Sequence, residues 1–406
     1  MTVAETLSAL LPGGISESEW TPATAWSRPP EAVVRPGSIE EVAMLMEWAT
    51  REEVGVLPVG SGERTRPVMR TGRYVVLSTE RLSGIHEYEA ANLTLTVGAG
   101  TPFSQVQAAL SANGQWAPFD PPHVQRRSVG GLVAAGVTGP LWMGYGELRN
   151  HVLGMTVVTG DGRVLRLGGR VVKNVAGYDL LKAVVGSRGS LAVITSAVLR
   201  AFPQPQVDRL LVLEGPSVED LMDAALEVGT APVLPVSSVL VDRLPGESGK
   251  AALVVRLHGA RDTVDADQER LERHVGHSFR EAMSLDVDGL RDHAADGEVV
   301  VLASSLPSRL PSVLEALASC RPAAIHADSY GGRVRAALPA DAAEALPGLQ
   351  KTMESLDGAL RVSVTAKGGP EASAPGGTEP TLGEAALIRG LYEAFDPRGA
   401  LWPARR

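Results

Sequence analysis

The stretch Pro58-Val59-Gly60-Ser61-Gly62-Glu63-Arg64-Thr65 closes a short apolar run. Such a run ending in glycines predicts a buried strand that leads into a tight loop. Gly60-Ser61-Gly62 opens the Gly-x-Gly-x-x-Gly pattern of Rossmann folds, but Thr65 occupies the position of the third glycine. Gly98-Ala99-Gly100 departs in the same way, because Phe103 occupies its third position. Neither loop by itself therefore indicates a nicotinamide-type site.

A second loop changes this interpretation. It reads Ser128-Val129-Gly130-Gly131-Leu132-Val133-Ala134-Ala135-Gly136, so paired glycines open an Ala-rich stretch that is typical of a helix. The first turn of a helix offers unpaired N–H donors to phosphate. Two loops of small residues, far apart in sequence and joined by alternating helices and strands, predict a diphosphate held between two subdomains.

The elements around these loops divide the chain into domains. Apolar residues at helical spacing predict a helix over 39–50, and Asp161-Gly162 predicts a hairpin between two short strands. Pro203 and Pro205 mark a boundary, after which helices and strands follow in α+β order. We expect an α+β protein with a first domain over 1–205, a smaller cap-like domain over 206–380, and a C-terminal segment, 381–406, that returns to the first domain.

Composition excludes several classes of function. The net charge is −9, which disfavours nucleic acid and anionic lipid as partners. Cys320 is the only cysteine, so the chain cannot form an internal disulfide or hold an iron–sulfur cluster by itself. Neither a signal peptide nor a spanning segment is predicted. We expect a cytoplasmic protein that meets the inner membrane only through partners.

The loops resemble those of a known family. Gly60-Ser61-Gly62, Ser128-Val129-Gly130-Gly131 and 185–195 resemble the three FAD-contacting segments of the vanillyl-alcohol oxidase, or PCMH-type, fold. The closer similarity is to the FAD-binding E subunits of bacterial glycolate oxidases, with further matches at 117–122, 169–180 and 395–399. It is continuous from about Val33 to Pro205. It implies a PCMH-type FAD-binding domain of two α/β subdomains plus a smaller α+β cap.

The resemblance also assigns roles to single residues. It implies that FAD binds non-covalently, with the pyrophosphate between the two loops, the ribose and adenine beside the third segment, and the isoalloxazine near 136–139. The residues concerned are Pro58, Val59, Gly60, Ser61, Gly62, Glu63, Arg64 and Thr65; Ser128, Val129, Gly130 and Gly131; Gly186, Gly189 and Ile194; and Gly136, Thr138 and Gly139.

Two departures from the family pattern affect this interpretation. Leu141-Trp142 follows Gly139-Pro140 where the family often has an arginine pair, and Trp402-Pro403-Ala404 replaces a terminal Asn-Pro-Gly. The first departure removes charged contacts that would otherwise be expected near the flavin.

The remaining polar residues indicate no catalytic base. His123 and His151 lie in the first domain but outside the first loop, so packing is favoured over covalent attachment of FAD. His274, His277 and Glu281 could share a helical face, but Gly276 weakens that helix, and we predict no metal site.

Cations in both domains could hold a carboxylate. Arg64 and Arg149 are candidates for a phosphate or a carboxylate, with surface ion pairing as an equal alternative. The second domain offers only scattered candidates, such as His326 and Arg333.

The resemblance implies a FAD-binding subunit of a glycolate oxidase or dehydrogenase complex, which oxidises a small 2-hydroxy acid. Its partners would be a catalytic flavoprotein subunit and an iron–sulfur subunit. Two alternatives stay open. The chain could be a complex-building subunit with structural FAD or none, or a self-sufficient FAD-dependent dehydrogenase of a 2-hydroxy acid.

Overall fold

The structure, a computed structural model, describes residues 2–12, 14–16, 29–62, 72–169, 179–246, 249–364 and 382–401. Among these residues no helix has both the length and the apolar character needed to cross a membrane. Glu63, Arg64, Thr65 and the motif residues 170–178 lie outside the described residues.

The first domain contains short strands and helices in close alternation. Its elements are α1 Val3–Leu10, β1 Ile15–Ser16, β2 Val33–Val34, α2 Ile39–Arg51, β3 Gly55–Val59, β4 Tyr74–Ser78, β5 Ile85–Glu89, β6 Thr94–Gly98, α3 Phe103–Ser111, β7 Gln115–Trp116, α4 Val129–Ala135, α5 Trp142–Tyr145, β8 Val152–Thr159, β9 Val164–Gly168, α6 Leu180–Val184, β10 Ala192–Arg200 and β11 Phe202–Pro203.

The cap and the C-terminal helix complete the fold. Their elements are β12 Val207–Gly215, α7 Met222–Thr230, β13 Ser237–Val241, β14 Ala251–Gly259, α8 Arg261–Val275, β15 Arg280–Glu281, α9 Val287–Asp292, β16 Val299–Ser304, α10 Leu310–Ala318, β17 Ala324–Asp328, β18 Arg333–Leu338, α11 Leu346–Ser355, β19 Ala359–Val364 and α12 Leu382–Phe395.

Two sheets form the first domain. The smaller has the order β1-β2-β4-β3, in which β4 runs parallel to both β2 and β3. The larger is antiparallel, with the order β5-β6-β10-β8-β9. Helix α2 covers the smaller sheet with Val42, Leu45 and Met46, and its N-cap Ser38 accepts a hydrogen bond from the Glu41 N–H. The hairpin predicted at Asp161-Gly162 joins β8 to β9.

The cap is an antiparallel sheet of eight strands, ordered β15-β12-β14-β13-β17-β18-β16-β19. Helices α7, α8, α10 and α11 bury one face of it in a common core. Because side chains alternate across a strand, residues such as Arg256, Asp328 and Arg333 lie on the opposite face. That face carries the contacts with the first domain. Cys320 is buried in the cap core, as expected of a small apolar side chain.

The end of the described chain lies against the first domain. Leu401 is buried and pairs with Val56 at the edge of β3. The Asp396 carboxylate accepts hydrogen bonds from the N–H groups of Ala400 and Leu401, at 2.8 and 2.9 Å. A side chain on Gly160 would collide with Asp396, so the β8–β9 turn is packed tightly against this carboxylate.

We expect Asp396→Ala to lower the free energy of unfolding by about 1–3 kcal/mol, because two buried N–H groups lose their acceptor. Urea denaturation followed by circular dichroism measures this loss. Asp341→Ala is the matched control, since Asp341 is exposed and forms an ion pair with the exposed Arg321, and we expect a change within about 0.5 kcal/mol. Equal losses in the two variants would contradict the anchoring role of Asp396.

Candidate functional site: a glycine junction and its capped pocket

Three distant segments meet at the end of β3. A side chain on Gly60 would run into the hydroxyl of Ser128, and one on Gly189 would lie 3.4 Å from the ring of Pro58. A side chain on Gly136 would lie 2.7 Å from the Cα atom of Gly186. The structure therefore brings together the first loop, the second loop and the third segment that the sequence analysis named.

The second loop forms the short helix α4. Ser128 is its N-cap, and its hydroxyl accepts a hydrogen bond from the Gly131 N–H at 3.3 Å. Gly130 packs directly on Ala99, so its lack of a side chain serves helix packing. Gly136 ends the helix with φ +59°, a conformation that favours glycine.

The other predicted contact residues differ in exposure. Ser61 is exposed, while Val59 and Val129 are buried. Ile194 lies in β10 with its side chain buried in the core of the five-stranded sheet, so only its backbone is available for a ligand contact.

The junction fits a ligand that needs close approach to backbone. Among the described residues, a side chain added to Gly131 would have one neighbour within 4 Å, the hydroxyl of Ser128, and one added to Gly186 would also have one, the Cα atom of Gly136 at 3.9 Å. These two glycines thus expose bare backbone at the junction. Bare backbone allows a pyrophosphate to approach closely, while the N–H groups of Gly131 and Gly186 donate to the Ser128 hydroxyl and the Val133 carbonyl.

A pocket lies next to the junction. Its described lining comprises Pro118, Phe119, Asp120, Pro121, Val137, Thr138, Gly139, Trp142, Gly146 and Leu148. Thr138 and Gly139, which the resemblance puts near the isoalloxazine, are thus in its wall. The only ionisable side chain in this described lining is Asp120.

Asp120 holds the turn that follows Gly139. Its carboxyl oxygens accept from the Leu141 N–H at 3.2 and 3.1 Å, and its main-chain carbonyl leaves no room for a side chain on Gly139. Desolvation raises the pKa of Asp120 to about 7, against the opposing effects of the Leu141 N–H and the cap cations Arg256 and Arg291. The carboxyl therefore changes charge near neutral pH.

The cap supplies a cation to this wall. Arg333 donates to the Thr138 hydroxyl at 2.9 Å, and its guanidinium lies 4.5 Å from the ring centre of Trp142. The Trp142 indole N–H donates to Asp328 of the cap, and burial raises the pKa of that carboxyl. Sequence reasoning named Arg333 among scattered candidates but missed Asp328, because strand β17 gives no sign of which side chain faces another domain.

Helix α5 has two further attachments to the cap. The Gly144 N–H donates to the Val236 carbonyl at 3.2 Å. The Tyr145 hydroxyl lies 2.8 Å from Nδ1 of His258, whose Nε2 is 3.0 Å from a carboxylate oxygen of Asp208. The sequence analysis did not identify His258, which has no motif around it.

His123 and His151 of the first domain make structural contacts. The ring of His123 lies between Asp292 and Asp296 of the cap, at 3.3 and 3.0 Å. Nε2 of His151 lies 2.6 Å from the Tyr145 carbonyl, and burial lowers the pKa of this imidazole. These contacts agree with the packing role that the sequence favoured.

Arg149 and His274 also have partners. Arg149 forms an ion pair with Glu147 at 2.7 Å, which is the surface alternative. Helix α8 ends at Val275 before Gly276, so His274 and His277 do not share a helical face. The described residues contain no group of three or more His, Cys, Asp or Glu side chains that could hold a metal ion.

Comparison with solved structures confirms the fold class. The alkyldihydroxyacetonephosphate synthase structure aligns with a TM-score of 0.70 and covers 93% of this chain and 76% of that chain. Sequence identity is 17%, so this similarity concerns the fold alone.

Relatives of known name match between half and three quarters of this chain. The glycolate oxidase subunit GlcE of Escherichia coli is 38% identical over 51% of this chain and 55% of its own length. The D-lactate dehydrogenase of Archaeoglobus fulgidus is 34% identical over 54% of this chain and 49% of its own length. The glycolate oxidase subunit GlcD of Bacillus subtilis is 28% identical over 74% of this chain and 64% of its own length. The chain thus spans about half to two thirds of the length of these relatives.

Residues 30–168 match the family described as FAD binding domain. This range contains the first loop, the second loop, Asp120 and the stretch from Gly136 to Gly139. The prediction that the chain binds FAD as its cofactor is confirmed, because residues 30–168 are similar to a FAD-binding domain.

Proposed function

We propose that this chain is the FAD-binding subunit of a glycolate oxidase or dehydrogenase complex and takes part in oxidising a small 2-hydroxy acid, as in the conversion of glycolate to glyoxylate. The observation that carries the proposal is the pocket beside Thr138 and Gly139, with a carboxyl inside it and the Arg333 guanidinium at its rim. The names of the relatives, glycolate oxidase subunits and D-lactate dehydrogenase, support the same chemistry.

Bound FAD would supply the two-electron acceptor for the hydrogen on C2 of the substrate. Arg333 would bind the substrate carboxylate, since 42% of its side chain is exposed and a guanidinium offers several donors. Asp120 would hold or release a proton at its carboxyl oxygens, because its pKa of about 7 matches neutral pH. Phe119, Val137, Trp142 and Leu148 would exclude water.

The partners follow from the same proposal. One cysteine cannot ligate an iron–sulfur cluster, so onward transfer through such a cluster needs another chain. A catalytic flavoprotein subunit and an iron–sulfur subunit would complete the complex. In this proposal the protein is cytoplasmic and reaches the inner membrane only through that complex.

A self-sufficient dehydrogenase of a 2-hydroxy acid is the second candidate, favoured by the similarity to D-lactate dehydrogenase. Dye reduction by glycolate, with and without the partner subunits, separates the two. Full activity of the isolated chain would overturn the subunit role. Folded protein without visible flavin absorption after reconstitution with FAD would leave only a complex-building role.

We expect Gly136→Ala to weaken FAD binding about tenfold or more, equivalent to about 1.4 kcal/mol. A side chain at this left-handed position would press on Gly186. Fluorescence titration with FAD measures the affinity, and circular dichroism checks folding. Gly348→Ala lies in α11, where the described residues outside the helix backbone leave the added carbon free of contacts within 4 Å, and it should bind FAD as the wild type does. Equal affinity in both variants would refute the glycine junction as the FAD site.

We expect Arg333→Ala to raise the dissociation constant of glycolate about ten- to a hundredfold, because a charged hydrogen bond is worth about 1.5–3 kcal/mol. The perturbation of flavin absorption during an anaerobic titration gives this constant. Arg321→Ala is the matched control, since Arg321 is 80% exposed and pairs with an exposed carboxylate. If the two variants bind glycolate equally well, Arg333 does not hold the carboxylate.

Asp120 should make stability depend on pH. The pKa of Asp120 is about 7 in the folded protein and near 3.8 in the unfolded chain. Between these two pH values the folded state therefore binds more protons than the unfolded state. The difference in the free energy of unfolding between wild type and Asp120→Asn should therefore decrease as pH rises from about 4 to about 7, and it should stay constant above pH 7. Urea denaturation at pH 5, 6, 7 and 8 measures it. A constant difference across this range would show that Asp120 does not titrate there.

A further inference from the structure

We propose that Trp142 is a positioning residue for Arg333, because its indole ring holds the guanidinium of this cap residue at Thr138, where a substrate carboxylate would bind. The inference rests on the proposed function, in which Arg333 binds that carboxylate. It gives Trp142 a role beyond that of apolar lining. The way in which one turn of the cap encloses the indole ring supports it.

The turn that joins β17 to β18 encloses the indole ring of Trp142. Asp328 accepts the hydrogen bond from the indole N–H. A side chain on Gly331 would lie 2.5 Å from the ring, so the backbone of Gly331 lies directly against it. The ring centre of Tyr330 lies 6.0 Å away, and the Arg333 guanidinium lies over the indole face at 4.5 Å from its centre. Four residues of a single turn thus contact one side chain of the first domain.

The turn itself is fixed within the cap. Asp328 and Arg333 are paired across the two strands, and the Gly331 N–H donates to the Asp328 carboxylate at 2.9 Å. The Gly332 carbonyl accepts from the Ser305 N–H at 2.9 Å. Gly332 has φ +61°, and a side chain there would run into the Ser305 carbonyl. The backbone of Arg333 is therefore held in place, and its long side chain is the part that needs a further support.

The guanidinium of Arg333 has two polar neighbours in the first domain. One amino group donates to the Thr138 hydroxyl at 2.9 Å, and the other lies 3.4 Å from a carboxylate oxygen of Glu147. A closer ion pair with Glu147 would compete with a substrate carboxylate for the same cation.

The Trp142 ring counters this competition. A guanidinium is attracted to an aromatic face, which keeps Arg333 flat on the indole and next to Thr138. An arginine that is already ordered also loses less rotational freedom when a carboxylate binds to it. Removal of the ring should therefore weaken carboxylate binding even though Arg333 is still present.

The experiment is an anaerobic titration of the FAD-loaded chain with glycolate, followed by flavin absorption, in a double-mutant cycle of Trp142→Leu and Arg333→Ala. We expect Trp142→Leu alone to raise the dissociation constant about three- to tenfold, because the cation–π contact is lost while apolar bulk is kept. In the Arg333→Ala background the same substitution should change the constant by less than about twofold. Trp142→Phe keeps an aromatic face and should recover part of the lost affinity.

Trp116→Leu is the matched control. Trp116 lies at the same domain boundary, where its ring centre is 5.3 Å from that of Tyr145 and 5.5 Å from that of His258 in the cap. We expect this variant to bind glycolate within about twofold of the wild type. Retained flavin absorption shows that each variant folds. Trp142→Met replaces Trp142→Leu in the cycle if the leucine variant loses its flavin.

The outcomes separate this inference from the proposed function. An equal effect of Trp142→Leu in both backgrounds would show that Trp142 acts on glycolate directly and not through Arg333. Unchanged glycolate binding in Trp142→Leu would also overturn the positioning role. Both results would leave the glycolate site of the proposed function in place. If glycolate does not perturb the flavin of the wild type, the proposed function fails and the inference fails with it.

Discussion

The close contact between Gly136 and Gly186 is the constraint on which the site depends. The backbones approach so closely that a side chain on Gly136 would collide with the backbone of Gly186. Two hydrogen bonds maintain this approach, from the Gly186 N–H to the Val133 carbonyl at 3.1 Å and from the Arg188 N–H to the Ala134 carbonyl at 2.8 Å. They join the end of α4 to the turn before β10, and so connect the second loop to the third segment.

From this junction the chain runs directly into the pocket wall. Thr138 and Gly139 follow Gly136, and Asp120 holds the next turn through the Leu141 N–H. Helix α5 then ends on the cap, through Trp142 and Tyr145. One continuous stretch thus links the FAD-binding junction to the cap, so a shift of the cap would move the pocket wall.

The elements near the loops could be predicted from sequence because their causes are local. The alternation of apolar residues, the Asp161-Gly162 turn and the Ser38 cap each act within a few residues. The cap was harder to interpret, since its strands carry charges on one face for a reason that lies in the other domain. His258 and Asp328 are examples, because each finds its partner more than 100 residues away.

By itself the sequence determined the positions of the glycine loops and, through them, the FAD-binding domain, because glycine is required wherever backbones must touch. It also determined that no internal iron–sulfur cluster can form. Only the tertiary structure decided which side chains surround the pocket. The pKa of Asp120 depends on burial, and the place of Arg333 depends on how two domains meet, so neither property exists in any local stretch of the chain.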